Sequence, residues 1–331
     1  MRRGPYRGHE RPSSPSIGSG REVLTGAVNP WRYHAHPEVW VLVAGIVGLG
    51  IYAARVIGPK VVRDGSPVVT RRQKGWFIAA VTIMWVAADW PVHDIGEQYL
   101  YTVHMAQHLL LTMVAPPLFL LATPTWLARL IVGDGWFAGS ILRRLCRPVV
   151  AGVIFNAVFV FVHWPPMVNE SVQIAPLHFS LHVLIMASGL LMWMPVCGPL
   201  PEYRLSLPGQ MFYLFLQSII PTIPSAWLIF AEHPVYRAYD TTYRLWNISA
   251  VDDQQLAGVL MKLGEGFYIW GLIVVLFFKW SSRNLAADRA GIVVTERDVL
   301  TWDDVQSELD ELERQNSGGS LPSEGGGGRE R

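Results

Sequence analysis

The sequence predicts an all-α polytopic membrane protein, a bundle of seven transmembrane helices. The chain has 331 residues, of which 51% are hydrophobic and only 16% are charged. The charged residues are concentrated in the tails and between apolar stretches, so the remaining uncharged windows are long enough for helices to cross a bilayer. The two cysteines, Cys146 and Cys197, do not form a CxxC pair, and no disulfide framework is expected.

Two tails flank the predicted membrane domain. Residues 1–37 are rich in Arg, Pro, Ser and Gly and lack the apolar core of a cleaved signal, so we predict a disordered N-terminal tail. The membrane domain is expected over residues 38–280. Residues 281–331 are predicted to form a cytoplasmic tail with one amphipathic helix, Thr301–Gln315, and a disordered Gly-rich end.

Seven spans follow from the apolar windows and the loops between them. They cover approximately Glu38–Arg55, Gly75–Pro91, Tyr99–Leu118, Val149–Trp164, Leu177–Cys197, Gly209–Ala231 and Leu256–Phe278. Proline removes a backbone donor, so Pro116 and Pro117 are expected to kink or end the third span, and Pro221 and Pro224 to break the sixth. The segment WFAGSILRRL before the fourth span has the pattern of a short amphipathic helix in the interface.

Basic residues predict the orientation of the bundle. The loops after the first, third and fifth spans, with the start of the C-terminal tail, carry thirteen Lys and Arg residues, whereas the other loops carry only Arg237 and Arg244. The positive-inside rule therefore places the N-terminus outside and the C-terminus in the cytoplasm. All ten histidines then lie outside or in the outer leaflet, which a random distribution would not readily produce.

Histidines mark the outer ends of four spans. The third and fifth spans each begin with two histidines four residues apart, which lie on one face of a helix. Ionisable groups inside the hydrocarbon boundary are costly, so several imidazoles at one depth favour a common cause, metal coordination. Neither pair has the Glu of an HExxH metalloprotease. The predicted metal ligands are His104, His108, His178 and His182, followed by His93 and His163.

Several other side chains are candidates for the same site. Imidazole suits copper, zinc and iron, while thioether sulfur favours Cu(I), so Met105, Met167 and Met261 are candidate ligands beside their ordinary role as core residues. Asp89, four residues before His93, is a candidate for the carboxylate that orients its ring.

The seventh span carries charged residues at its start and inside it. Asp252 and Asp253 suit a helix N-terminus, where carboxylates complement the partial positive charge. Lys262 and Glu265, three residues apart, are interpreted as an intrahelical ion pair facing the bundle interior, with a proton or ligand role as the alternative. Asp89 is a second possible partner of Lys262.

Four segments, in order, resemble the CtaG family of bacterial cytochrome c oxidase assembly factors. They are HMAQHLLLTMVAPPLFLLATP (104–124), HWPP (163–166), GLLMWMPV (189–196) and DDQQLAGVLMK (252–262), within a resemblance that covers about residues 76–280. The resemblance implies a seven-helix, non-enzymatic protein of the bacterial plasma membrane that helps to assemble haem-copper oxidase and handles its copper. Implied partners are an oxidase subunit, other copper-handling membrane proteins and lipid, but no nucleic acid. The expected cofactor is copper, as Cu(I).

Three alternatives remain open from the sequence. A haem-binding electron carrier would use the same histidines as axial ligands, although pairs at helix ends fit this less well than single mid-membrane histidines. A metal-free scaffold would stabilise oxidase subunits through contacts alone. A retinal protein would use Lys262, but the third span offers no carboxylate counter-ion.

Overall fold

The computed structural model describes residues 30–63, 65–132, 137–240 and 244–289, together with 306, 307, 310 and 311. Within these residues the chain is helix and loop, with no strand. Most of the predicted disordered tail, residues 1–29, lies outside the described residues. So does most of the predicted helix Thr301–Gln315, whose four described residues are helical.

Between residues 30 and 289, the described part of the chain contains twelve α-helices, numbered here in chain order and joined by loops. They are α1 (Pro37–Val61), α2 (Arg71–Ala88), α3 (Val92–Gln98), α4 (Tyr101–Ala122), α5 (Thr125–Val132), α6 (Phe137–Leu145), α7 (Pro148–Val162), α8 (Pro165–Ser171), α9 (Ala175–Cys197), α10 (Leu207–Gln217), α11 (Thr222–Ile229) and α12 (Ala250–Arg289).

Six helical spans are long and apolar enough to cross a membrane, and a seventh is formed only by a bent pair. The six are α1, α2 with α3, α4, α9, α10 with α11, and α12. The fourth predicted span, α7, has 15 residues, fewer than the ~20 that a crossing helix needs. α6, the predicted amphipathic helix, precedes it at an angle of 82°, so a seventh span is counted only if this bent pair is taken as one.

The prolines of the third and sixth spans have different effects. α4 continues through Pro116 and Pro117 to Ala122, so these prolines do not end the span. A π turn precedes them, and the carbonyl oxygen of Thr112, which a proline nitrogen cannot satisfy, accepts a hydrogen bond of 2.9 Å from the Trp193 indole. In the sixth span the helix breaks between α10 and α11, as predicted. Pro221 lies directly before α11.

The hydrophobic core is organised around α4, α9 and α12. α4 packs against α2, α9 and α12, while α9 packs against α7, and α12 against α10 and α11. Large side chains such as Phe155, Ile185, Trp193 and Leu214 are fully buried where these helices meet. Because α4 and α9 pack side by side, the histidine pairs at their beginnings come to the same end of the bundle.

Candidate metal centre

The histidine pairs of α4 and α9 meet in one crevice. The two rings of each pair, His104 with His108 and His178 with His182, have centroids 4.4 Å apart. Between the helices, the centroid separation is 5.0 Å for His108 and His182 and 5.5 Å for His104 and His178. The i, i+4 spacing therefore presents both pairs to each other across the helix interface.

Two groups of three histidines have ring nitrogens close enough to share an ion. The inner triad is His104, His108 and His182, and the outer triad is His93, His178 and His182. The nitrogens of each triad lie within 4.8 Å of one another. His182 belongs to both triads, so the five rings form one continuous set, which we call the histidine cluster.

One nitrogen pair in the cluster already has the spacing of two metal ligands. Nε2 of His108 and Nε2 of His182 lie 3.1 Å apart. Two nitrogens bound tetrahedrally to one ion at about 2.0 Å would be about 3.3 Å apart. An ion could therefore replace the hydrogen bond between these rings with a small displacement of each.

Several buried ring nitrogens in the cluster have no hydrogen-bond partner in the described part of the chain. These atoms are Nδ1 of His104, Nδ1 of His108 and Nε2 of His178. A buried polar atom left unpaired costs roughly 1–3 kcal/mol, and an imidazole nitrogen with a free lone pair is a good ligand for copper or zinc. The donor set thus fits a transition-metal cation.

His163 lies beside the cluster without belonging to either triad. Its Nδ1 is 2.7 Å from the carbonyl oxygen of Phe159, and since a carbonyl only accepts, Nδ1 carries the proton. Nε2 therefore bears a lone pair, is buried without a described partner, and belongs to a ring 6.0 Å from that of His108. The structure thus gathers five of the six predicted histidines and places the sixth next to them.

The carboxylate that faces His93 belongs to Glu97. Nε2 of His93 is 3.2 Å from one Glu97 oxygen, and the other oxygen is 3.9 Å from Nδ1 of His178. On the other side of the ring, Nδ1 of His93 is 3.2 Å from the Gln107 side-chain nitrogen. Glu97 therefore links α3 to α9 and orients two rings of the cluster. The i, i+4 spacing of His93 and Glu97 is the sequence signal from which this contact could have been predicted.

Glu97 replaces Asp89 in the predicted orienting role. The Asp89 carboxylate accepts hydrogen bonds from the indole nitrogens of Trp40, at 2.9 Å, and Trp85, at 2.7 Å. α2 ends at Ala88, and the bend that follows separates the side chains of Asp89 and His93, although they are four residues apart. Asp89 instead joins α1 to α2.

The last residues of the predicted N-terminal tail contact the cluster. The ring of His36 packs against that of His93 with centroids 5.0 Å apart, and its Nε2 is 3.0 Å from Asp94. His34 approaches the second oxygen of Asp94 at 3.4 Å. Burial lowers the pKa of His36, but the neighbouring carboxylates of Glu38 and Asp94 outweigh it, so the pKa is raised overall. Residues 30–37 are thus part of the folded domain around the site.

Asp253 fixes the start of α4. Its buried carboxylate accepts hydrogen bonds from the backbone nitrogens of Tyr101, at 2.7 Å, and Thr102, at 3.0 Å. Asp253 therefore caps the helix that carries His104. Asp252 lies at its own helix start, where its backbone nitrogen donates to Ser249 Oγ and its carboxylate accepts from the same hydroxyl. Both aspartates lie in the first turn of α12, as expected, but Asp253 caps α4, while Asp252 holds the hydroxyl of Ser249, which accepts a backbone hydrogen bond at the start of α12.

Aromatic residues from the loop before α12 cover the cluster. The rings of Tyr236 and Tyr239 lie 4.8 and 4.9 Å from that of Tyr101, and Tyr239 lies 6.3 Å from His104. Burial raises the pKa of Tyr236 to about 12, so its hydroxyl stays neutral. The cavity between Tyr101, Tyr239 and the histidines is about 20 Å³, close to the size of one water molecule or ion.

The predicted thioether ligands differ in their distance from the site. Met105 is 1% exposed and forms part of the wall of the cavity beside the histidines. Met261 is buried in the hydrophobic core between helices. Met167 lies on α8, and no described contact joins it to the cluster.

Lys262 forms a hydrogen bond that links α12 to α11. Its Nζ donates to Thr222 Oγ1 on α11 at 2.5 Å. Among the described residues, no salt-bridge contact joins Lys262 to Glu265 or to Asp89, and the close polar contact of Lys262 is this hydrogen bond across the interface. Glu265 is buried in the interior, 4% exposed.

Together these features define a polytopic helical membrane protein with an imidazole centre at one end of its bundle. The chain belongs to the cytochrome c oxidase caa3 assembly factor family (Caa3_CtaG), whose model matches residues 50–283. The match includes the histidine cluster and His163, whereas His34 and His36 precede it.

Mycobacterial proteins are also similar to this chain. Proteins of Mycobacterium bovis and Mycobacterium tuberculosis, both described as uncharacterized, are 25% identical over 296 residues and cover 84% of this chain. An uncharacterized protein of Mycobacterium leprae is 24% identical over 302 residues. The chain spans 42% of the length of these curated relatives. No solved structure matches this chain.

Proposed function

We propose that this assembly factor holds one copper ion, as Cu(I), in the histidine cluster and transfers it to the catalytic subunit of a haem-copper oxidase docked beside it in the plasma membrane. The observation that carries the proposal is the convergence of two histidine triads on His182. Copper is cargo in this proposal, and the protein breaks no covalent bond.

The chemistry of the donor set supports copper. Copper stands highest in the affinity order of divalent metals for nitrogen sites, and a thioether nearby favours its Cu(I) state. Met105 supplies such a thioether in the cavity wall, one residue after His104. All these donors are neutral, so an incoming ligand can displace them one at a time, which a closed thiolate site would resist.

Surrounding residues hold the donors in place for binding and release. Glu97 orients the rings of His93 and His178, and Asp253 fixes the backbone turn from which His104 projects. Tyr239, in the loop before α12, packs against His104 and lines the cavity beside the histidines. Release to a partner then requires only that its ligands replace the imidazoles in sequence, while the carboxylates keep the empty rings in position.

The dimensions of the site disfavour the two cofactor alternatives. Pockets for molecules of cofactor size have volumes of about 300–1,000 Å³, whereas the cavity at the histidines is about 20 Å³. Nε2 of His108 and His182, at 3.1 Å, also leave no space for a porphyrin between them. Lys262, the residue that a retinal protein would need, is hydrogen-bonded to Thr222.

Copper content tests the proposal directly. We expect the full chain, purified in detergent and incubated anaerobically with Cu(I), to retain one equivalent of copper by elemental analysis. The double variant His104→Ala with His108→Ala should lose at least tenfold in affinity, because it removes two of three ligands of the inner triad. His233→Ala, in the exposed loop before α12, is the matched control and should bind as the wild type does.

The oxidase supplies a second readout. In cells that depend on this chain, the double variant should yield oxidase with less copper and lower activity, while His233→Ala should not. A wild-type chain that retains no copper, or a double variant that supports oxidase assembly fully, would instead identify a metal-free scaffold.

A further inference from the structure

We propose that His34, His36 and Asp94 form an exchange site through which Cu(I) passes between solvent and the histidine cluster. This inference rests on the proposed function, because it presumes that the cluster holds copper. It adds a binding site of two imidazoles and one carboxylate. The two histidines precede the region that the family model matches, whereas Asp94 lies within it.

The residues form a graded path from solvent to the interior. The side chain of His34 is 48% exposed, that of His36 is 13% exposed and that of Asp94 is 4% exposed. His93, next to His36, belongs to the outer triad, and its side chain is 14% exposed. Beyond it, His104 and His108 of the inner triad are buried. The path therefore begins at an exposed imidazole and ends at enclosed ones.

Neighbouring donors along the path are close enough for handover. Asp94 bridges the two imidazoles, with one oxygen 3.4 Å from His34 Nδ1 and the other 3.0 Å from His36 Nε2. The rings of His36 and His93 are 5.0 Å apart, and His93 shares a triad with His178 and His182. At each step one bond from a nitrogen or carboxylate oxygen to copper forms as another breaks, and copper remains Cu(I), so no electron donor or acceptor is required.

A purely structural role would not require both imidazoles on one carboxylate. The contact of His36 with Asp94 is enough to attach the start of α1 to α3. His34, half exposed at 3.4 Å from the same carboxylate, adds little stability, because solvent weakens a charge contact that has an exposed partner. A second imidazole facing solvent is, however, what an incoming ion would meet first.

Loading kinetics with two variants of His34 test the exchange site. His34→Asn keeps a polar side chain beside Asp94 but is a poor Cu(I) ligand, whereas His34→Met is a Cu(I) ligand with no N–H or O–H group. Transfer of Cu(I) from its bicinchoninate complex to the full-length chain is followed by the loss of the complex's colour. We expect loading to slow about tenfold in His34→Asn and to remain within about twofold of wild type in His34→Met.

The final copper content distinguishes the possible results. Both variants should end at the wild-type stoichiometry, with unchanged unfolding temperatures, because His34 lies on the path and not in the cluster. Equal loading rates in the two variants, or a lower final stoichiometry in His34→Asn, would overturn the exchange site while leaving the copper proposal standing. A wild-type chain that binds no Cu(I) would instead contradict the proposed function itself.

Discussion

The carboxylate of Asp253 stabilises a helix other than its own. It belongs to α12, yet its two oxygens accept the backbone hydrogens of Tyr101 and Thr102 at the start of α4. The first backbone N–H groups of a helix have no partner within it, and water is scarce where they are buried. A single side chain therefore determines both the beginning of α4 and the position of His104, one turn further on.

Removal of this carboxylate should reduce stability. We expect Asp253→Ala to lower the free energy of unfolding by roughly 1–3 kcal/mol, because two buried backbone donors lose their acceptor. Asp252→Ala is the control: it removes an exposed cap interaction and should cost less, about 0.5–1 kcal/mol. Denaturant unfolding in detergent, followed by tryptophan fluorescence, measures both. Equal losses in the two variants would show that the contact with α4 contributes nothing specific.

At the scale of elements, the close approach of α3 to α4 brings the outer triad to the inner one. Gly96 makes this approach possible, since a Cβ atom at this position would lie 2.9 Å from the backbone nitrogen of His104 and 3.1 Å from its Cα. Backbone atoms cannot move aside as a side chain does. The position of His93 and Glu97 relative to α4 thus depends on the absence of one methyl group.

Gly96→Ala should therefore separate the two triads. We expect α3 to shift outward and copper affinity to fall about tenfold, as when the supporting residues of a metal site are lost. Gly266→Ala provides the control, because a Cβ atom there meets nothing within 4 Å. Competition titration of Cu(I) against a chromogenic chelator measures the affinity of both variants. Wild-type affinity in Gly96→Ala would show that the site tolerates movement of α3.

At the scale of the whole molecule, the basic residues around the turn between α1 and α2 and the histidine cluster lie at opposite ends of the bundle. Five basic residues surround the turn between α1 and α2, namely Lys60, Arg63, Arg71, Arg72 and Lys74, whereas the histidine cluster lies near the loop that contains Glu232. Cationic loops are retained in the cytoplasm. This distribution predicts that the proposed copper site opens to the outer side of the membrane, where the proposed delivery to an oxidase subunit would take place.

Cysteine labelling of intact cells checks this orientation. In a Cys146→Ala, Cys197→Ala background, Glu232→Cys should react with a membrane-impermeant maleimide, while Arg63→Cys should react only after the membrane is permeabilised. Both positions are exposed, so their reactivity reports the side of the membrane. The opposite pattern of labelling would place the histidine cluster on the cytoplasmic side and contradict the proposed route of delivery.

Local pattern accounts for the parts of this protein that were predicted correctly. Apolar windows located the spans, and the i, i+4 histidine pairs identified which helix ends carry imidazoles, because hydropathy and helical periodicity act over a few residues. Local pattern also favoured Asp89 as the partner of His93, where the bend after α2 directs the two side chains apart. His93 and Glu97, which have the same spacing and both lie in α3, are the pair that is in contact in the structure.

The sequence by itself determined the class of the protein, the approximate spans, the family and the histidines at the helix ends. Only the tertiary structure decided which donors share an ion, which carboxylate faces them and which helix Asp253 caps. The hydrogen bonds concerned join residues 58 positions apart for His36 and Asp94, and 152 apart for Tyr101 and Asp253. Contacts of that range depend on how the helices pack, and helix packing is set by the fit of whole surfaces and not by any local pattern.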